Sequence, residues 1–142
     1  IGGKTDIVMM LNGALAGLVA ITAEPLTPGP ITAMVIGSVG AVIMYYGTKL
    51  LEILGLDDVV GAIPVHMFAG IFGTLVVPLT NADTSFGTQF IGVISVCVFS
   101  FVLSWITFST LKSTVGLRIS RAAEKQGTDK AEVGVVAYSI RD

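Results

Sequence analysis

"ITAMVIGSVGAVIMYYG", residues 31–47, contains no Asp, Glu, Lys, Arg or His, and its apolar side chains point in every direction around a helix. Transmembrane barrel strands show strict two-residue alternation, which this stretch lacks. A segment so apolar satisfies its backbone groups in lipid by closing its hydrogen bonds within itself. It predicts a transmembrane helix over about 31–51, with Tyr45 and Tyr46 near one interface, where aromatic residues gather.

Outward from this stretch the same pattern recurs. Residues 7–23, 25–48, 59–82 and 84–111 are all free of Asp, Glu, Lys and Arg. A hydrocarbon core of about 30 Å takes roughly 17 to 25 helical residues, so each window holds one crossing. The expected fold class is therefore an all-α integral membrane protein with spans at about 7–23, 31–51, 59–79 and 86–111, and a tail at 112–142. The 142 residues are 53% hydrophobic and 13% charged, with a mean hydropathy of +0.86. Four charge-free windows leave too little polar surface for a soluble domain. The net charge of -2 points to no nucleic-acid partner, and the single Cys97 allows no intrachain disulfide.

The basic residues set the orientation. Lys4, Lys49, Lys112, Arg118, Arg121, Lys125, Lys130 and Arg141 all fall on segments that alternate crossings assign to one side. The connections "AEPLTPGP" (23–30) and "TNADTSFGTQ" (80–89) carry only Glu24 and Asp83. The positive-inside rule makes the N-terminus, the 49–58 loop and the tail cytoplasmic, in a multi-pass protein of the cytoplasmic membrane. The first window superficially resembles a secretory signal, but Asp6, Asn12, Gly13 and Gly17 fit that pattern poorly. A start at Ile1 rather than Met points to a longer parent chain.

Small residues recur at four-residue spacing at Gly13 and Gly17, at Ala33, Gly37 and Ala41, and at Ala69 and Gly73, which suits close helix packing in lipid. Residues 112–142 are the one polar stretch, with six basic and four acidic residues broken by Gly116, Gly127 and Gly134. Such a segment is too small to build its own core, so it is expected to dock on another surface or stay mobile.

"AIPVHMFAGIFG", residues 62–73, contains the only histidine, His66. At 100° per residue His66 shares a helix face with Val59, Ala62, Ile63, Ala69, Gly70, Gly73 and Val77, opposite Pro64, Phe68, Ile71 and Phe72. On that reading it faces other protein rather than lipid. Pro64 cannot donate to the Val60 carbonyl and bends the helix beside it. Three roles compete. The imidazole could be packing glue between helices, a metal or haem ligand, or part of a transport pathway. A lone His without a Cys, Asp or Glu in the spans is a poor metal set, and no metal or cofactor is expected. Ionisable groups within a membrane are costly and functional by default, which favours the pathway. A neutral imidazole offers one donor and one acceptor nitrogen, suited to a small polar solute or to a proton relay. A relay needs a second group from elsewhere.

The motifs "GGKTDIVMMLNGALAGLVAIT" (2–22), "LDDVVGAIPVHMFAGIFGTL" (56–75), and "VGLR" (115–118) followed by "GTD" (127–129) and "EVGVVAY" (132–138) resemble the C-terminal part of the Amt/Mep/Rh ammonium transporter family. The resemblance covers nearly the whole chain in order and spacing. It implies the last four of eleven spans and a cytoplasmic terminus. It further implies a homotrimer with one hydrophobic pore per subunit, which binds ammonium, conducts ammonia and handles the linked proton at a histidine pair. His66 matches the second of that pair, and Asn12 a polar position near the cytoplasmic mouth, with Ala62 and Ile63 on the same pathway. In the tail, Gly116, Arg118, Asp129, Glu132, Gly134 and Tyr138 fall on a regulatory pattern that packs beneath a neighbouring subunit and to which a PII-type protein binds. The resemblance implies no enzyme activity. Departures fall at Gly61, where the family usually has Asp, at Pro64, Met67 and Ala69 in place of Gly, and at Val133 in place of His. Two other readings stay open, an ammonium sensor and a non-conducting interaction fragment.

Overall fold

A computed structural model describes residues 5–137, and the described residues form helices and turns without strands. Helix α1, Ile7–Thr22, starts where the Asp6 carboxylate accepts the Met9 N–H at 3.0 Å. That bond satisfies one of the donors a helix start leaves free. Helix α2, Pro30–Leu54, has its proline at the first turn, where no N–H is missed, and ends at Gly55 in the left-handed conformation. After a loop comes a π-helical segment, Ile63–Phe68, which continues into α3, Ala69–Val76, and a 3-10 turn, Val77–Leu79. Helix α4 is Phe86–Thr114 and α5 is Arg121–Gln126, followed by a π turn at Asp129–Val133. Helices α2 and α4 are each long and apolar enough to cross a membrane, whereas Ile7–Thr22 and Ile63–Leu79 are shorter apolar helices. The third helical run begins at Ile63, later than the expected 59, because the carboxylate and turn at Asp58–Gly61 come first.

The chain divides between Val96 and Cys97 into two units. In the first, α1, α2 and the π segment with α3 pack on one another. Small residues let them approach. A Cβ on Gly17 would lie 3.1 Å from the Gly37 carbonyl, and one on Gly40 would lie 2.6 Å from the Ala20 Cβ. A Cβ on Gly73 would strike the Ala20 backbone carbonyl. Backbones this close gain dispersion contacts, the force that holds helices together where lipid is as apolar as the protein. Ala16, Met44, Val65 and Ala69 form the buried centre.

One polar bond ties two connections of this unit together, and one ion pair lies within α2. Between α1 and α2, Glu24 accepts the Asn81 side-chain N–H at 3.0 Å, which joins that turn to the one after Leu79. At the other end Lys49 pairs with Glu52 at 2.9 Å, one turn apart on exposed surface.

In the second unit α4 ends as the Gly116 and Val115 N–H groups fold back to the Leu111 carbonyl. The tail makes local contacts of its own. Ser120 caps α5 by accepting the Ala123 N–H at 3.2 Å, and Arg118 pairs with Glu124 at 2.8 Å. Asp129 accepts the Ala137 N–H at 3.0 Å, closing the turn that Gly134 reverses at φ 74°.

Candidate functional site

The loop before the π segment is arranged by its own backbone demands. Asp58 accepts the N–H groups of Ala62 at 2.9 Å and Ile63 at 2.8 Å, one on each carboxylate oxygen. Its carbonyl accepts the Gly61 N–H at 3.2 Å, and the Gly61 carbonyl accepts the Val65 N–H at 3.1 Å. The sequence expectation that Pro64 leaves the Val60 carbonyl without its helical donor is not met: Val60 lies in the turn before the segment and Pro64 in its first turn, where a proline misses no bond. The Val60 carbonyl accepts the side-chain amide N–H of Asn12 on α1, at 2.9 Å.

The side chains on the far side of the segment lock it against α2. Gly47 leaves a notch that Phe68 and Pro64 fill, so that a Cβ on Gly47 would lie 2.5 Å from Phe68 Cδ2 and 3.1 Å from Pro64 Cβ. Pro64 and Val65 are buried, while His66 and Met67 are exposed on the surface of this unit. Ala62 is exposed, and Ile63 and Asn12 are half-buried.

Burial along the segment departs from what a uniform wheel gives within these residues. At 100° per residue His66 shares a face with Ala69, Gly73 and Val77, yet those three are buried and His66 is not. The π closure, i to i+5, adds nearly a residue per turn and shifts the phase between His66 and α3. Within these residues the imidazole does not face packed protein. Pro64, expected opposite the packed stripe, is part of the contact with α2. A separate cleft of about 170 Å³, between the end of α2 and the loop, is lined by Thr48, Glu52, Asp57 and Asp58 over Leu51 and Pro64, and His66 is not on it.

The structure brings His66, Ala62 and Ile63 onto one segment and anchors that segment through Asn12. Asp58 and Gly47, which hold it at both ends, were not singled out from the sequence. An acidic residue four positions ahead of an apolar run is the sequence signal that could have found Asp58. The tail candidates belong to the other unit: Gly116 at the end of α4, Arg118 paired with Glu124, and Asp129, Glu132 and Gly134 around the closing turn. Tyr138 lies outside the described residues. The backbone donors of Ala137 and then Lys130 hold the Asp129 carboxyl below the usual aspartate range, and the Glu124 carboxylate raises the Arg118 guanidinium.

The family model for the ammonium transporter family matches residues 1–138. The chain belongs to the ammonium transporter family. It is 39% identical over 157 aligned residues to ammonium transporter Amt2 of Archaeoglobus fulgidus, an alignment covering 96% of this chain and 33% of that protein. Ammonium transporter Amt2 of Methanocaldococcus jannaschii is 32% identical over 146 residues, covering 97% of this chain and 35% of the relative. Ammonium transporter 1 of Dictyostelium discoideum is 30% identical over 152 residues, covering 96% and 33%. The chain thus spans about a third of the length of these family members. Membership makes it a membrane protein, with which its two long apolar helices agree.

Proposed function

We propose that the chain forms part of the conducting wall of an ammonium transporter, with His66 on the path. The observation that carries this reading is the placement of the only histidine. It stands exposed on an irregular π segment of apolar residues, in a chain of the ammonium transporter family. π segments inside apolar helices recur at functional sites.

The chain is read as the C-terminal four spans of the transporter, with the N-terminal end, the 49–58 loop and the tail on the cytoplasmic side, as the basic residues favour. Moving an intact cation through an apolar passage costs several kcal/mol, so ammonium is split and ammonia crosses with its proton handled separately. His66 hydrogen-bonds the solute and is one half of the proton relay, the second half lying beyond this segment. Ala62 and Ile63 supply apolar wall one turn away, and Asn12 sits at the cytoplasmic mouth. The working unit is a homotrimer. The tail, through Gly116, Arg118, Asp129, Glu132, Gly134 and Tyr138, is its regulatory contact and the docking site for a PII-type protein.

The test is His66→Ala in the full-length transporter. Uptake of ammonium is expected to fall at least tenfold, or to lose its dependence on the proton gradient. Unchanged uptake with unchanged proton coupling would remove His66 from the path.

A further inference from the structure

We propose that Asp58 is a positioning residue for the pathway: its carboxylate grips the backbone of Ala62 and Ile63 and so sets where His66 stands. The inference rests on the reading of those three residues as part of the ammonium path.

A helical run opens with N–H groups that have no carbonyl one turn behind them, and something outside the run must accept them. Here the run opens at Ala62. Ala62 gives its N–H to one oxygen of Asp58 at 2.9 Å, and Ile63 gives its own to the other at 2.8 Å. Pro64 has none to give, and Val65 bonds to the Gly61 carbonyl at 3.1 Å. A single side chain thus takes both donors that stand ahead of the proline. A charged acceptor makes such bonds about twice as strong as a neutral one. A carboxylate at this end also complements the positive pole of the run, which continues to Leu79.

The main chain of the same residue closes the turn behind it. The Asp58 carbonyl accepts the Gly61 N–H at 3.2 Å, and Gly61 takes φ 75°. Asp58 is therefore engaged at its backbone and at both carboxylate oxygens, and it is half-buried. His66 follows Ile63 by three residues, roughly 5 Å along a helix axis, within one continuous helical run. A shift of the grip is passed on to the imidazole, and misplacing a functional group by about 1 Å can cost about 100-fold in rate. The neighbouring acid gives the contrast. Asp57 lies exposed on the same cleft, and among the described residues its carboxylate holds no backbone N–H. Both acids stand at one mouth, and Asp58 is the one bonded to the path.

The experiment uses the full-length transporter with Asp58→Asn, Asp58→Ala, Asp57→Asn and His66→Ala. Uptake per folded transporter is measured against ammonium concentration, together with the ring resonance of His66 in histidine-labelled protein, identified by its loss in His66→Ala. Asp58→Asn keeps the size but sets an amide N–H against a backbone N–H. It is expected to lower maximal uptake about fivefold or more, to change the half-saturating concentration by less than about twofold, and to move the His66 resonance. Asp58→Ala, with neither acceptor, is expected to lose at least as much; where it fails to fold, Asp58→Asn carries the comparison. Asp57→Asn removes the neighbouring carboxylate and is expected to stay within about twofold of wild type, with the resonance unmoved. Equal losses in Asp57→Asn and Asp58→Asn would assign the effect to charge at the cleft and overturn the inference. An unmoved His66 resonance in Asp58→Asn would overturn it as well. If His66→Ala transports normally, the pathway reading fails by itself, and the resonances still decide whether Asp58 places the imidazole.

Discussion

At Gly61 the backbone turns through φ 75° and the Asn12 amide lies where a side chain would begin. An L residue in this region costs about 1–2 kcal/mol before any contact is counted. Gly61→Ala is therefore expected to lower the thermal unfolding midpoint of the purified protein, and to lower it less when Asn12 is already alanine, because only the backbone strain then remains. Equal losses with and without Asn12 would show that the contact carries no energy. Any side chain at this position, an aspartate included, would bring its Cβ against Asn12 in the same way. The sequence displays both residues, Gly61 as a departure from the pattern that the resemblance implies and Asn12 as a match to it. That they touch could not be read, because nothing local couples residues so far apart in the chain. Pro64 is different, since its missing N–H follows from covalent structure alone and suits the first turn of the segment, where it stands.

The π segment and α3 show how an element is placed by its smallest residues. A Cβ on Gly73 would run into the Ala20 backbone carbonyl, which has no rotamer to yield. A Cβ on Gly70 would lie 3.6 Å from Val19 Cγ1, an ordinary contact. Gly73→Ala is expected to destabilise by about 1–3 kcal/mol through overpacking. Gly70→Ala is expected to be neutral or to stabilise by up to about 1 kcal/mol, since alanine is the better helix former. Thermal or denaturant unfolding of the two variants side by side checks the order, and a reversed order would mean that α1 and α3 do not meet at Gly73. The four-residue spacing of Ala69 with Gly73 made this contact legible. The π closure was not, and a wheel drawn at a constant 100° groups His66 with Ala69, Gly73 and Val77, which are buried in this unit where His66 is exposed.

At the scale of the molecule the membrane-spanning part and the tail obey different physics. In the tail, the Ala137 and Lys130 N–H groups hold the Asp129 carboxyl below the ordinary aspartate value of 3.8. A carboxyl depressed in the folded form adds stability that is complete above the ordinary value and is lost as the pH falls through the lower, folded one. The closing turn is thus expected to persist through neutral and mildly acidic pH and to open only in stronger acid. Following the Ala137 amide resonance against pH reads this directly, with a midpoint below 3.8 expected and a midpoint at 3.8 contradicting it. A Gly127→Ala change should open the same turn at any pH, since Gly127 has φ 94° and its Cβ would lie 2.6 Å from Asp129 Oδ1. Sequence by itself determined the all-helical membrane character, the family and the lone histidine as the candidate, because hydropathy, charge and motif are properties of a residue and its near neighbours. Tertiary structure alone decided that Asn12 bonds the Val60 carbonyl, that Asp58 and Gly47 hold the segment at its ends, and that His66 is exposed on the surface of this unit. Each of these depends on which backbones approach within a few ångströms, and that is settled by packing between distant parts of the chain.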